Sequence, residues 1–254
     1  MKLYSSLFLI FLLVGEVALS AGKGLYWAKK VYNRPDGNSN ISLVDMVLES
    51  KSGKRRTRQL YTYALEKKND IFSLIRFTHP ADIKKLALLT KSKRGVDTNQ
   101  WVYLPALGKN RRISGSGKGG RFAGSDIYYE DMEDRTVDKD KHKFLGKKKL
   151  NGGVVVVIES TPVKKSNSTY KKKIVWIHPK TLLPLKVEFF KKNLKKADKV
   201  MEVKKVKKVD GYWTVLESVT TDLRKSHKTY LRTRKIKYNV KISSKLFTKR
   251  TLQD

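Results

Sequence analysis

Two dipeptides constrain this chain most. Asn151-Gly152 stands between extended runs at residues 144–150 and 154–160, and Asp210-Gly211 stands between extended runs at 200–209 and 212–221. Asn-Gly and Asp-Gly supply the left-handed backbone that a two-residue hairpin turn demands, so each pair of runs folds back as neighbouring antiparallel strands. Further runs of the same kind lie at 41–49, 55–66, 71–78, 170–178, 185–190 and 230–240, rich in the Val, Ile, Thr, Tyr and Trp that suit a pleated, half-buried surface. In the second, Leu60, Thr62 and Ala64 alternate with Gln59, Tyr61 and Tyr63. In the third, Ile75 and Phe77 point one way and Phe72 and Leu74 the other, so this strand wants apolar cover on both faces.

Helical signal is scarce. Residues 25–31, with Trp27 and Tyr32, make a short amphipathic helix that Arg34-Pro35-Asp36-Gly37-Asn38 ends. No segment has the length and spacing of a βαβ crossover helix. The expectation is therefore a mainly β fold of about a dozen strands in hairpin succession, forming one domain over 21–254. A sheet that long is expected to curl into a strongly curved, incomplete β-barrel that shelters its inner face.

The first residues read as an export leader. Met1 and Lys2 precede an apolar run at 7–14 and the small residues Ala18, Ser20 and Ala21, the pattern of a signal peptide over 1–20. The run is shorter than the roughly 20 apolar residues of a membrane span, and Glu16 interrupts it. The chain has no cysteine, so it has no disulfide, no thiolate metal site and no thiol to carry a lipid anchor. A soluble periplasmic protein, monomeric and held by core burial, is the expectation.

The 57 Lys and Arg against 23 Asp and Glu leave a net charge of +34, which draws anionic partners. Nucleic acid is the usual inference from such an excess. Export disfavours it, because membrane headgroups and envelope polymers are the polyanions outside the cytoplasm. A generally basic source proteome produces the same excess without any ligand, and this alternative stays open.

The segment from Asn99 to Met132 holds the densest set of candidate residues. Trp101 and Tyr103 share one face of a strand and Val102 and Leu104 the other, until Pro105 ends it. Arg111 and Arg112 face opposite ways in an extended chain, so one is free to pair with Asp126, Glu130 or Asp131 while the other meets solvent or a headgroup phosphate. These five residues are candidates for the latch of a glycine-rich flap at 115–120, with Lys118 and Arg121 available to screen the acidic cluster. Ser125-Asp126 reads as the cap of a short helix over 127–132.

Gly117-Lys118 is followed by Gly119 where a nucleotide loop needs Ser or Thr, and no strand-to-helix unit surrounds it. The four histidines are scattered, the acidic cluster lacks calcium-loop spacing, and there is no Gly-x-Ser-x-Gly elbow. A non-enzyme without catalytic residue, metal or cofactor is the expectation. A hydrolase whose carboxylates meet from distant strands stays open as an alternative.

The ordered set Trp101-Val102-Tyr103-Leu104-Pro105, Arg111-Arg112-Ile113, Phe122-Ala123-Gly124-Ser125-Asp126 and Tyr129-Glu130-Asp131 resembles the outer-membrane lipoprotein-sorting proteins of the LolA-like superfamily, in the longer branch linked with RND or MMPL-type exporters. The similarity runs from about Tyr26 to the C-terminus and takes in Asp210-Gly211-Tyr212-Trp213 and residues 247–252. The chain departs from that branch at Ile83-Lys84-Lys85-Leu86, where a glycine is expected, and in its lysine content.

The resemblance implies short helices across the opening of the sheet and an apolar cavity for acyl chains of a lipid or lipoprotein. It also implies transport between membranes, transient contact with anionic leaflets and an RND/MMPL-type inner-membrane partner. Leu60, Ile75, Phe77, Trp101, Tyr103, Val155, Val157, Val187 and Phe189 are the candidate cavity residues. An accessory subunit that stays docked on an exporter, and a polyanion- or nucleic-acid-binding protein, are the alternatives.

Overall fold

The computed structural model describes residues 20–93, 96, 98–164 and 168–253. All but the last residue of the expected leader lies outside them. An α-helix, α1, spans residues 20–32. Among the described residues thirteen strands follow. These are β1 (Ser39–Glu49), β2 (Arg55–Lys67), β3 (Asp70–His79), β4 (Ala87–Lys93), β5 (Asn99–Leu104), β6 (Lys109–Arg112), β7 (Asp140–Leu150), β8 (Gly153–Pro162), β9 (Lys172–Ile177), β10 (Pro184–Phe190), β11 (Lys199–Val209), β12 (Tyr212–Asp222) and β13 (His227–Tyr238). The two turns that anchor the sequence reading form as expected: Asn151 and Gly152 sit at φ 49° and 80°, and Asp210 and Gly211 at φ 49° and 87°. Both residues of each turn are left-handed, as a type I′ hairpin requires.

All thirteen strands join one antiparallel sheet in the order β6-β5-β4-β3-β2-β1-β13-β12-β11-β10-β9-β8-β7. This corrects the expectation of a strongly curved sheet forming an incomplete β-barrel. The sheet is open, it is not strongly curled, and β6 and β7 stand at opposite ends of the order without pairing each other. The reason lies in what covers the inner face. Every neighbour pair is a hairpin or short connection except β1 with β13, and residues 113–136 and α1 lie on that face, so its apolar side chains are buried without closure.

Strand register sorts the side chains. The face carrying Val44, Met46 and Leu48 on β1 continues through Leu60, Phe77, Leu88 and Val102 and packs Phe122 from the covering segment. On the same face, at the β8–β9 end, Val156, Ile158 and Ile177 receive Ala28, Trp27 and Val31 of α1. The opposite face is apolar at the β3–β5 end, where Leu74, Ala87 and Leu89 are covered by Phe247 and Leu252 of the C-terminal segment. The two-faced cover expected for residues 71–78 is thus met by two different parts of the chain.

Helix α1 approaches the sheet closely because Gly24 has no side chain. A Cβ there would fall 2.5 Å from the carbonyl oxygen of His142 on β7. The Ser20 hydroxyl donates to the Phe144 carbonyl at 2.9 Å on the same strand.

Candidate functional site

Between the sheet and the covering segment lies a cavity of about 450 Å³. Its floor comes from β1–β3 and β10–β13, through Val44, Leu60, Ile75, Phe189, Met201 and Leu231 among others. Its roof comes from Phe122, Ile127, Asp131 and Met132. The roof is anchored by aromatic packing, with the Phe122 ring 5.6 Å from Phe77 and 5.8 Å from Tyr129. Polar groups hold it as well: Arg58 donates to the Ala123 carbonyl, and Gln100 Nε2 donates to the Tyr129 carbonyl at 2.9 Å.

The acidic residues of the roof are each clamped to a different place. Asp126 is fully buried and meets His227 Nδ1 at 2.6 Å, the Thr229 hydroxyl at 2.8 Å and the Arg121 guanidinium at 3.1 Å. Arg121 also pairs with Asp222 at the end of β12. Glu130 accepts from the Ser168 hydroxyl and from the Thr169 amide at 2.5 Å. Glu133 pairs with Lys118 at 2.8 Å, and burial pushes its carboxyl up from the ordinary value.

Asp131 makes the most consequential pairing, because it borders the cavity. It accepts from the Tyr128 amide at 2.7 Å, from the Tyr170 hydroxyl at 2.7 Å and from the Lys199 ammonium. Lys199 is 2% exposed and lies 4.0 Å from the centroid of the Tyr128 ring and 4.4 Å from that of Phe189. Burial pulls its ammonium below the usual lysine value, against the opposing pull of Asp131. Burial, reinforced by Asp131, raises the Tyr170 phenol well above its ordinary value. The result is a charge-neutral polar corner, walled by aromatic rings, at the edge of an apolar hollow.

The sequence-derived candidates divide by parity. Leu60, Ile75 and Phe189 line the cavity. Phe77 and Val187 lie on the same face in the packed core beside it. Trp101 and Tyr103 lie on the opposite face, against the C-terminal segment, while Val102 between them faces the covered core. Val155 and Val157 are fully buried but alternate with the inward-facing Val156 and Ile158 on β8.

Of the latch candidates, Asp126, Glu130 and Asp131 are tied down as described, but not by Arg111 or Arg112. Arg111 is exposed on the edge strand, and Arg112 donates to Asn99 Oδ1 at 2.6 Å. Asp126 does not cap a helix either. A single 3-10 turn, Tyr129–Met132, forms there, with Tyr128 at its N-cap and Asp131 accepting the cap amide.

Sequence reading missed Lys199, Tyr170, Tyr128 and His227. For Lys199 a signal existed: with Met201 and Val203 it occupies alternate positions of β11, so it belongs to the cavity side. The lysine-rich surroundings hid it.

A protein family described only as uncharacterized matches residues 69–254. A search of curated proteins finds no match. Among solved structures, a domain from Vibrio parahaemolyticus assigned as an outer membrane lipoprotein-sorting protein is 31% identical, with a TM-score of 0.85, covering 92% of this chain and 100% of that one. A DUF1329 family protein from Desulfovibrio piger is 29% identical at a TM-score of 0.85, covering 92% of this chain and 99% of that one. A LolA superfamily protein from Nitrosomonas europaea shares the fold at 18% identity and a TM-score of 0.68, with 91% and 99% coverage. This chain belongs to the outer-membrane lipoprotein-sorting protein family, has the fold of a LolA superfamily protein, and is a periplasmic protein.

Proposed function

We propose that the chain is a carrier that takes an acyl chain of a lipid or lipoprotein into the cavity beneath residues 113–136 and moves it between membranes. The observation that supports this is the cavity itself. Its volume of about 450 Å³ lies within the roughly 300–1,000 Å³ of small-molecule sites. Its lining is dominated by Val, Leu, Ile, Met and Phe. Each methylene withdrawn from water gains about 0.8 kcal/mol, so ten gain about 8 kcal/mol before ordering costs are met.

The +34 net charge brings such a carrier to anionic leaflets. An RND-type exporter as membrane partner rests on the sequence resemblance alone. Transfer of a labelled lipoprotein or phospholipid between donor and acceptor vesicles tests the reading, together with mass spectrometry of organic extracts from protein purified without detergent. Recovery of about one amphiphile per chain with saturable transfer is the expected result. Lipid-free protein with no transfer sinks it.

A further inference from the structure

The cavity is not a plain hydrocarbon socket. On β12, Ser218 and Thr220 sit two residues apart and both border it, with Thr62 of β2 and Thr233 of β13 nearby on the same face. Thr220 is only 7% exposed. Among the described residues, the side-chain hydroxyls of Thr62, Ser218 and Thr220 have no hydrogen-bond partner within the protein, and that of Thr233 reaches the Val215 carbonyl only at 3.5 Å. An occupant that displaces water from these donors is favoured when it brings acceptors to them.

The charge in the cavity wall points to the kind of acceptor. Asp131 and Lys199 are the charged residues among those bordering it, and they neutralise each other. Two ammonium protons of Lys199 are committed to Asp131 and to the Tyr170 oxygen, and aromatic rings stand against its remaining surface. An ionised carboxylate entering here would find no uncompensated cation. A saturated hydrocarbon would leave the hydroxyls unanswered. A neutral carbonyl satisfies both conditions.

Resting on the carrier reading above, we infer that the cavity selects ester-linked acyl chains, with the ester carbonyl accepting from Thr220 and Ser218 on β12 and the alkyl tail lying over Val44, Leu60 and Ile75. The class of ligand is thus an acylglycerol-type neutral ester rather than a free fatty acid or an alkane.

The test displaces a bound pyrenyl-alkane probe from the intact processed protein with three competitors of equal chain length: 1-palmitoylglycerol, its ether analogue 1-hexadecylglycerol, and palmitate. The ester is expected to displace at about tenfold lower concentration than either of the others. In the Thr220→Val/Ser218→Ala variant the ester-to-ether ratio is expected to fall to about one. If that double variant does not fold by circular dichroism, Ser218→Ala is read alone with a partial fall expected. Equal displacement by ester and ether, preference for palmitate, or a ratio that survives the variants overturns the inference and leaves the carrier reading standing. Failure of the wild-type protein to bind the alkane probe or any of the competitors brings down both.

Discussion

Lys199 donates an ammonium proton to the Asp131 carboxylate against the ring of Tyr128, so the covering segment is fastened to β11 by an ion pair that also forms part of the cavity wall. Removing one member leaves the other in a low-dielectric site without its counter-charge. Lys199→Met is expected to cost about 3–5 kcal/mol in urea unfolding. Adding Asp131→Asn to that variant should recover part of the loss, because the stranded charge is gone. A double variant no more stable than Lys199→Met would show that the loss comes from packing instead.

Arg121 ties the covering segment to the sheet through one side chain, pairing with Asp126 within the segment and with Asp222 at the end of β12. Arg121→Met should destabilise by about 3 kcal/mol, since Asp126 is fully buried. Hydrogen exchange should rise first in residues 121–132. Uniform exchange across the sheet would contradict the anchoring role.

Asp222 makes a pH prediction with a definite sign. Burial pushes its carboxyl up, but the amides of Arg224 and Lys225 and the Arg121 guanidinium outweigh this and hold it below its ordinary value of 3.8. Between the lowered folded value and 3.8, the unfolded chain binds more protons than the folded one. The stabilisation is therefore present above 3.8 and is lost as pH falls through the folded value. Acid titration of urea stability should show wild type and Asp222→Asn well separated at neutral pH and converging as pH falls below 3.8. A constant gap would remove the carboxylate from the explanation.

Gly24 is where the helix meets the edge strand. Gly24→Ala places a methyl within contact range of the His142 backbone, which cannot yield as a side chain can. A loss of about 1–3 kcal/mol is expected from the overpacking, despite the better helix propensity of alanine. Thermal unfolding of the two proteins side by side measures it. A gain in stability would mean that α1 stands off the sheet.

Leu231 borders the cavity from β13. Leu231→Trp fills part of the hollow, and under the carrier reading lipid loading should fall by about tenfold while urea stability shifts by no more than about 1–3 kcal/mol. The assay is mass spectrometry of extracted lipid per mole of protein. Undiminished loading would place the acyl chain elsewhere.

Much of the fold was legible because strand and turn signals are local. The Asn151-Gly152 and Asp210-Gly211 turns each set one hairpin, and alternation placed Leu60 and Ile75 on one side of their strands. Alternation says that Trp101 and Tyr103 share a face, but it cannot say which element covers it. Phe247 and Leu252, more than a hundred residues away, decide that by packing on the opposite side from the cavity. The openness of the sheet was hidden for the same reason: a meander can close on itself or be covered by its own loops, and residues 113–136 supply the cover. The pairing of Asp131 with Lys199 is likewise a tertiary matter. Alternation along β11 puts Lys199 on the same side as Met201 and Val203, but only docking of the covering segment strips it of water and makes it part of a cavity wall. Short-range backbone chemistry is written residue by residue, whereas burial, charge neutralisation and cavity shape belong to segments that meet only after folding.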